Sequence, residues 1–314
     1  MSKSFTSLPE RHDALPSCMR PRLLIFALML AGLLLDACGG DGSGQSAGAT
    51  TSSAAGVPSS TQEWTGHYVG VVGIADATYF GDAVVTEDGA MRLYIGGPYD
   101  NGGELQMVRP EGSEQFVGTI QMRDGQWSGS GVIIGQECAI HPANRFCAQA
   151  APAEFSAKVN SASGCATAEL QGKIQLVMSG STETWSLDLE LWAGGDGPWH
   201  LPSGQFKEVL AEFASSSDVI VNIDGSGRLF FQSSGSNCVG NGTLAPRPAG
   251  PANISDVTLL MESCSGAYAY LNGTYGGLGL VTSSSCWDYD GLLRIWLSKG
   301  SGEGSPAAIT MLGE

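Results

Sequence analysis

Three histidines in the predicted mature chain are the side chains best suited to catalysis or transition-metal binding. They are His67, His141 and His200, and their spacing does not match a metal-ligand pair on one helix or strand. A Ser-His-Asp site would have to be assembled from distant segments, and no motif indicates one. The histidines therefore do not indicate a catalytic or metal site, the chain is not expected to be a histidine-dependent enzyme, and no cofactor is expected.

Two carboxylates have a spacing that suits a hard cation. Asp288 and Asp290 alternate before Gly291, which resembles the start of a calcium loop. Leu292 and Leu293 then occupy positions where further oxygen ligands would be needed. A polar turn between strands is the simpler interpretation, so these residues are only a weak Ca²⁺ candidate.

Cysteine chemistry is indicated more strongly. Six cysteines follow residue 60, with none of the C-x-x-C spacing of zinc sites. An even number in an exported chain predicts disulfides. Cys238 and Cys264 bracket a predicted hairpin, and Cys138 and Cys147 bracket a loop containing proline and asparagine. The last two cysteines, Cys165 and Cys286, are left as the third pair.

Four aromatic residues are candidates for stacking on a glycan. Trp64, Trp199 and Trp287 lie near predicted strand ends or turns, and Tyr99 lies in a long connection. Packing in the core or at a barrel end is the alternative for each of them.

The N-terminus has the order of a secretory signal. Arg20 and Arg22 precede an apolar run over Leu23–Leu35, which is too short to span a bilayer as a helix. The run ends at Leu35-Asp36-Ala37-Cys38, which resembles the signal of bacterial lipoproteins, although Asp36 departs from the family pattern. The alternative is an ordinary secretory signal with a chance cysteine.

This resemblance implies that Cys38 carries lipid, palmitate included, and anchors the protein in the membrane. Gly39, rather than aspartate, follows the cysteine, which in that family favours the outer membrane. Whether the protein faces the periplasm or the cell surface is left open. The predicted organisation is a signal peptide over 1–37, with Met19 as an alternative start, and a flexible Gly/Ser/Ala/Thr linker over 38–62.

Charge restricts the partners of the mature chain. It keeps 11 Lys/Arg and 28 Asp/Glu residues, a formal net charge of −17. Nucleic-acid binding needs a basic face, so it is not expected. The acidic balance fits an extracytoplasmic protein or a cationic partner.

Short alternating segments and turn signals predict an all-β fold. Val84–Tyr94 aligns with Ile220–Phe230 around an Asp-Gly turn. Two later pairs of segments repeat in the same order: Trp127–Gly131 with Cys238–Gly242, and Leu189–Trp192 with Leu293–Trp296. These matches predict two duplicated antiparallel units, 63–198 and 199–314, each a small barrel or sandwich. A single sandwich formed by both copies is the alternative.

The same alignment gives the first unit 25 extra residues around Gly96–Phe116 and a longer segment around Cys138–Cys147. Insertions on a β scaffold commonly carry binding specificity. We therefore expect a non-enzymatic, lipid-anchored module that binds a protein or glycan partner through loops. An envelope protein without a small ligand and a carboxylate-dependent hydrolase of glycans or peptides are the alternatives.

Overall fold

The computed structural model describes residues 64–98, 113–136, 138, 143–161, 166–178, 181–192, 204–207, 219–247, 254–284, 289–299 and 306–313. All of them belong to one compact unit, Gly56–Glu314. The predicted signal peptide, the lipid-attachment residue Cys38 and the linker lie outside the described residues. No described helix is long and apolar enough to cross a membrane.

The fold is all-β, as predicted, and consists of two eight-stranded antiparallel sheets in which sequential strands pair. The first sheet contains β1 (Gly66–Ile74), β2 (Ala77–Val85), β3 (Ala90–Pro98), β4 (Glu114–Arg123), β5 (Gln126–Gly135), β6 (Ala151–Ser161), β7 (Ala166–Met178) and β8 (Ser181–Trp192). A short helix, α1 (Arg145–Ala148), lies between β5 and β6. Pairing of β1 with β8 closes this sheet into a barrel, called the barrel below.

The second sheet contains β9 (Gly204–Lys207), β10 (Val219–Ile223), β11 (Arg228–Ser233), β12 (Cys238–Pro246), β13 (Ile254–Glu262), β14 (Gly273–Ser284), β15 (Tyr289–Lys299) and β16 (Ala307–Gly313). A 3₁₀ helix over Gly266–Leu271 lies between β13 and β14. In the described residues β9 and β16 are the two edges, so the second sheet forms a half-barrel. The prediction of two duplicated β units is confirmed.

Alternation of apolar and polar residues explains why the first sheet closes around a core. The predicted inward residues of β8, from Trp185 to Leu191, are 0 to 6 % exposed, whereas Asp188 and Glu190 face solvent. Large side chains fill the interior of the barrel: Tyr68, Phe116, Trp127, Phe155 and Trp185. An eight-stranded barrel has room for little more than such side chains. The described interior is therefore a packed core and not a ligand cavity.

The hairpins that revealed the duplication are equivalent, but in a different register from the expected one. In β2–β3 the Gly89 amide donates to the carbonyl of Thr86, and in β10–β11 the Gly227 amide donates to the carbonyl of Asp224, each at 2.9 Å. These two glycines have φ of +82° and +81°. Both loops are therefore three-residue turns ending in a left-handed glycine. The copies are offset by 138 residues instead of 136, so Gly225 is not the left-handed residue.

The other two expected matches were wrong for a related reason. The Gly89 carbonyl accepts from the Ile120 amide at 2.8 Å, and the Gly227 carbonyl accepts from the Leu244 amide at 2.7 Å. β12 therefore corresponds to β4, not to β5 with Trp127. By strand order, β16 and not β15 corresponds to β8. Similar Gly-rich and apolar alternations in neighbouring strands had produced the false matches.

The corrected register changes the size of the first insertion. Gly89 and Ile120 are 31 residues apart, whereas Gly227 and Leu244 are 17 apart, so the first unit has 14 extra residues here rather than 25. The segment between β5 and β6 is also longer, with 15 residues against 10 between β13 and β14. Both insertions remain features of the first unit.

Candidate binding site at the loop end of the barrel

Antiparallel order places the two insertions at the same end of the barrel. The connections β1–β2, β3–β4, β5–β6 and β7–β8 leave at one end, called the loop end below. The connections β2–β3, β4–β5 and β6–β7 leave at the opposite end, where β1 begins at Gly66. The chain that precedes β1 therefore joins the barrel at the end opposite the insertions.

A groove of about 730 Å³, called the mouth groove below, lies at the loop end. It is lined by the β1–β2 turn and by the first residues of neighbouring strands and α1: Ile74, Ala75, Asp76, Ala77, Tyr79, Glu114, Ala143, Asn144, Arg145 and Glu183. Polar groups and small apolar residues converge on one concavity, which is typical of a binding site.

Helix α1 forms a rigid part of this groove. The Phe146 amide donates to Oδ1 of Asn144 at 2.9 Å, which caps the helix. Phe146 is 2 % exposed and contacts Trp185 edge-to-face, with 6.0 Å between ring centroids. A disulfide joins Cys138 to Cys147 with 5.6 Å between their Cα atoms, and is called the barrel disulfide below. Packing and the cross-link together fix α1 against the barrel.

Two opposite charges in the mouth groove, Arg145 and Glu183, are paired with each other. Arg145 Nη2 donates to Oε2 of Glu183 at 2.5 Å, and the Trp185 indole donates to the other carboxylate oxygen at 2.8 Å. The Arg145 guanidinium also lies 4.6 Å from the centre of the Phe146 ring. These two hydrogen bonds fix the orientation of the Glu183 carboxylate, which in turn positions the Arg145 side chain.

A second polar cluster lies where the outer face of the barrel packs on the second sheet, a region called the junction below. His67 Nε2 and Asp82 Oδ1 are 2.8 Å apart, and Arg294 forms an ion pair with the other oxygen of Asp82. Asp82 is 0 % exposed and His67 is 3 % exposed. Trp296 packs over them, with its ring centroid 6.2 Å from that of His67.

Burial determines the protonation of this cluster. Burial, and then the charge of Arg294, hold the pKa of His67 well below its usual value, so the imidazole is neutral at pH 7. Because a carboxylate only accepts, Nε2 of His67 carries the hydrogen that is donated to Asp82. Burial also lowers the pKa of Arg294 to about 10, which leaves it charged.

The junction joins the two sheets through polar and apolar contacts. Neither groove is lined by His67, Asp82 or Arg294, so a substrate in these described concavities does not reach them. Gln115 and Gln136 of the barrel donate to the Thr310 hydroxyl of β16 at 3.1 and 2.9 Å. An apolar patch completes the contact: Val84, Ile254, Leu278, Leu280 and Trp296.

Sequence reasoning found some of these features and missed others. The predicted pairs Cys138–Cys147 and Cys238–Cys264 are both confirmed; the second is called the sheet disulfide below. Trp64 is a correction: it is 9 % exposed and packs in the barrel core, so it is not a stacking platform.

The remaining candidates are not described at the level of their side chains. They are Cys165, Cys286, Trp199, Trp287, Tyr99, Asp288 and Asp290, together with His141 and His200. Within the part of the chain that is described, no group of three or more His, Cys, Asp or Glu side chains has the arrangement of a metal site.

Arg145, Glu183 and the junction carried little signal in the sequence. The available sign was the loss of alternation in β15, where Arg294 and Trp296 interrupt Leu293, Ile295 and Leu297. A strand with large residues on both faces is covered on both sides.

No protein-family model matches the chain, and neither curated proteins nor solved structures give a significant match.

Proposed function

We propose that this protein is a lipid-anchored, non-enzymatic binding module of the bacterial outer membrane that contacts its partner through the loop end of the barrel. The carrying observation is that both insertions of the first unit leave the barrel at the end that holds the mouth groove. The packed barrel interior argues against a carrier that encloses a ligand.

The position of the tether supports the same function. The chain reaches β1 at the end opposite the loop end, so a linker anchored at Cys38 would leave the mouth groove pointing away from the attachment point. With a root-mean-square reach of roughly 25 Å, such a linker would let the barrel reorient toward a partner. The two disulfides fit an oxidising, extracytoplasmic compartment.

Site-specific photocrosslinking in intact cells tests the contact. A photoreactive p-benzoylphenylalanine replaces Ala143 in the mouth groove, and in a matched strain it replaces Gln126, which is exposed at the opposite end of the barrel. We expect a discrete cross-linked product at position 143 that is absent at position 126 and is lost when Arg145→Glu is added. No product at position 143, or the same product at both positions, would show that the loop end is not the contact surface.

The anchor has its own test. Cells are fed an alkyne analogue of palmitate, and the chain is then examined for the label. We expect label on the natural chain and none on Cys38→Ala. An unlabelled natural chain would refute the lipid anchor while leaving the binding role of the barrel to the photocrosslinking result.

A further inference from the structure

The second sheet has a separate groove on the part of its outer face that the barrel leaves uncovered. It has a volume of about 490 Å³ and lies on β10, β11 and β12; it is called the face groove below. Its lining includes one aromatic ring, that of Phe230. Five polar side chains lie around this ring: Asn222, Asp224, Arg228, Asn241 and Thr243.

Phe230 is an unusual residue for this position. It is 37 % exposed in the middle of β11, whereas its neighbours Leu229 and Phe231 face the core at 2 % and 0 %. A large aromatic side chain at a central, solvent-facing position contributes nothing to the core. It is therefore available to pack against a ligand.

Strand register places an amide on each side of this ring. Asn222 is the direct cross-strand partner of Phe230 on β10, and Asn241 is its partner on β12. Directly opposed residues have Cβ atoms about 5 Å apart. Neither amide forms a side-chain hydrogen bond within the described part of the chain. Each therefore offers both donors and an acceptor beside the ring.

The rest of the face groove is rigid and close to electrically neutral. Asp224 Oδ1 accepts from the Ser226 hydroxyl at 2.6 Å and from the amides of Ser226 and Arg228 at 2.8 and 3.0 Å. Its negative charge lies beside the positive charge of Arg228. Thr243 contributes a hydroxyl that is already bonded to Thr258 at 2.9 Å. The site is thus preorganised by the sheet and its turn.

We infer that the face groove is a binding site for a neutral saccharide. A sugar ring presents an apolar C–H face that packs on an aromatic ring, and adjacent hydroxyl groups that pair with amides at the edges of that ring. The opposite charges of Asp224 and Arg228 nearly cancel and leave no net attraction for an anionic glycan, and the strongly acidic chain disfavours one further. This site is distinct from the mouth groove and does not depend on the function proposed for it.

The test uses the whole chain, purified in mild detergent, on an array of neutral oligosaccharides printed beside sialylated and sulfated ones. Hits are then titrated by calorimetry. We expect neutral oligosaccharides to bind, Phe230→Ala to weaken binding by about tenfold, and Phe230→Tyr to retain it. Circular dichroism confirms that each variant is folded.

Two controls separate this site from other surfaces. Leu260 is 42 % exposed and is the cross-strand neighbour of Asn241, but it does not line the face groove, so Leu260→Ala is expected to leave the saccharide affinity unchanged. Arg145→Glu in the mouth groove is expected to leave it unchanged as well. Absence of any neutral saccharide on the array, or insensitivity to Phe230→Ala, overturns the inference. An equal loss with Leu260→Ala indicates a general apolar docking face instead.

Discussion

The junction allows a quantitative prediction, because its charges are buried and paired. Replacing Asp82 by alanine removes the acceptor of His67 and the counter-ion of Arg294 at a site where Asp82 is 0 % exposed. The Arg294 side chain is 13 % exposed, so water screens its charge poorly. The variant therefore leaves a buried cation without its anionic partner.

Breaking a buried ion pair in this way typically costs about 3–5 kcal/mol of unfolding free energy. For a folded unit of this size, each kcal/mol lowers the melting temperature by about 2–4 °C. We therefore expect Asp82→Ala to lower it by roughly 10 °C. Asp188→Ala, which removes an exposed carboxylate on β8, is the matched control and should change stability by less than about 0.5 kcal/mol.

The double variant Asp82→Ala/Arg294→Met separates the cost of the unpaired charge from the loss of packing. Replacing both members of a buried ion pair with apolar groups is often close to neutral. We expect this variant to be at least about 2 kcal/mol more stable than Asp82→Ala alone.

Urea unfolding measures these differences, with tryptophan fluorescence and near-ultraviolet circular dichroism followed together. Trp296 lies in the junction and reports on its opening. Two results would refute the reasoning: a cost below about 1 kcal/mol for Asp82→Ala, or a double variant as unstable as the sum of the two single ones.

Three further expectations concern pH, turns and cross-links. The folded state holds the pKa of His67 below its unfolded value of about 6.5. The His67 contribution to the unfolding free energy is therefore fully present above that pH, and it is lost below it by at most about 1.4 kcal/mol per pH unit. Urea unfolding of His67→Gln at several pH values should lack this pH dependence. Gly227→Ala should lower the unfolding free energy by about 1–2 kcal/mol, because the φ of Gly227 is +81°, whereas Gly225→Ala should be nearly neutral in thermal unfolding. A larger loss for Gly225→Ala would show that the copies are offset by 136 residues and not by 138. Removing the sheet disulfide, which joins residues 26 apart, should lower the unfolding free energy by about 3.6 kcal/mol. Removing the barrel disulfide, whose residues are 9 apart, should lower it by about 2.7 kcal/mol. Equal losses in urea unfolding would contradict the loop-entropy account.

The all-β class, the duplication and two disulfides were predictable because each depends on local patterns. Period-two alternation marks a strand with one buried face, and β8 follows it from Trp185 to Leu191. Cys238 and Cys264 could be paired because they bracket a hairpin. Asp124-Gly125 is the two-residue turn that its sequence predicts, with φ of +53° and +72°.

The register of the duplication was not predictable from the same patterns. An Asp-Gly pair fits more than one position in a hairpin loop. In β10–β11, Asp224 begins the turn because its carboxylate binds the amides of Ser226 and Arg228. In β2–β3, Gly89 ends the turn. Only the cross-strand hydrogen bonds distinguish these two uses of the same dipeptide.

The binding surfaces escaped prediction because they are made by contacts between distant segments. Arg145 and Glu183 are 38 residues apart, and Gln115 and Thr310 are 195 apart. Phe230 gave no signal either, since an apolar residue in a strand is normally interpreted as core. Its exposure follows from the alternation of β11, in which Leu229 and Phe231 face the core.

The two units differ in the faces that they bury. β14 and β15 of the second sheet carry buried side chains on both sides, one side packing on their own core and the other on the barrel. The barrel is covered mainly on the outer face of β1–β5, and this contact extends to the loop end, where Gln115 and Gln136 bind Thr310. Asp82 and Arg294 do not line the mouth groove, so a substitution of Asp82 should lower stability without changing the photocrosslinking pattern at Ala143, as long as the chain remains folded. Loss of the cross-link in a folded Asp82 variant would instead show that the two sheets act together in binding.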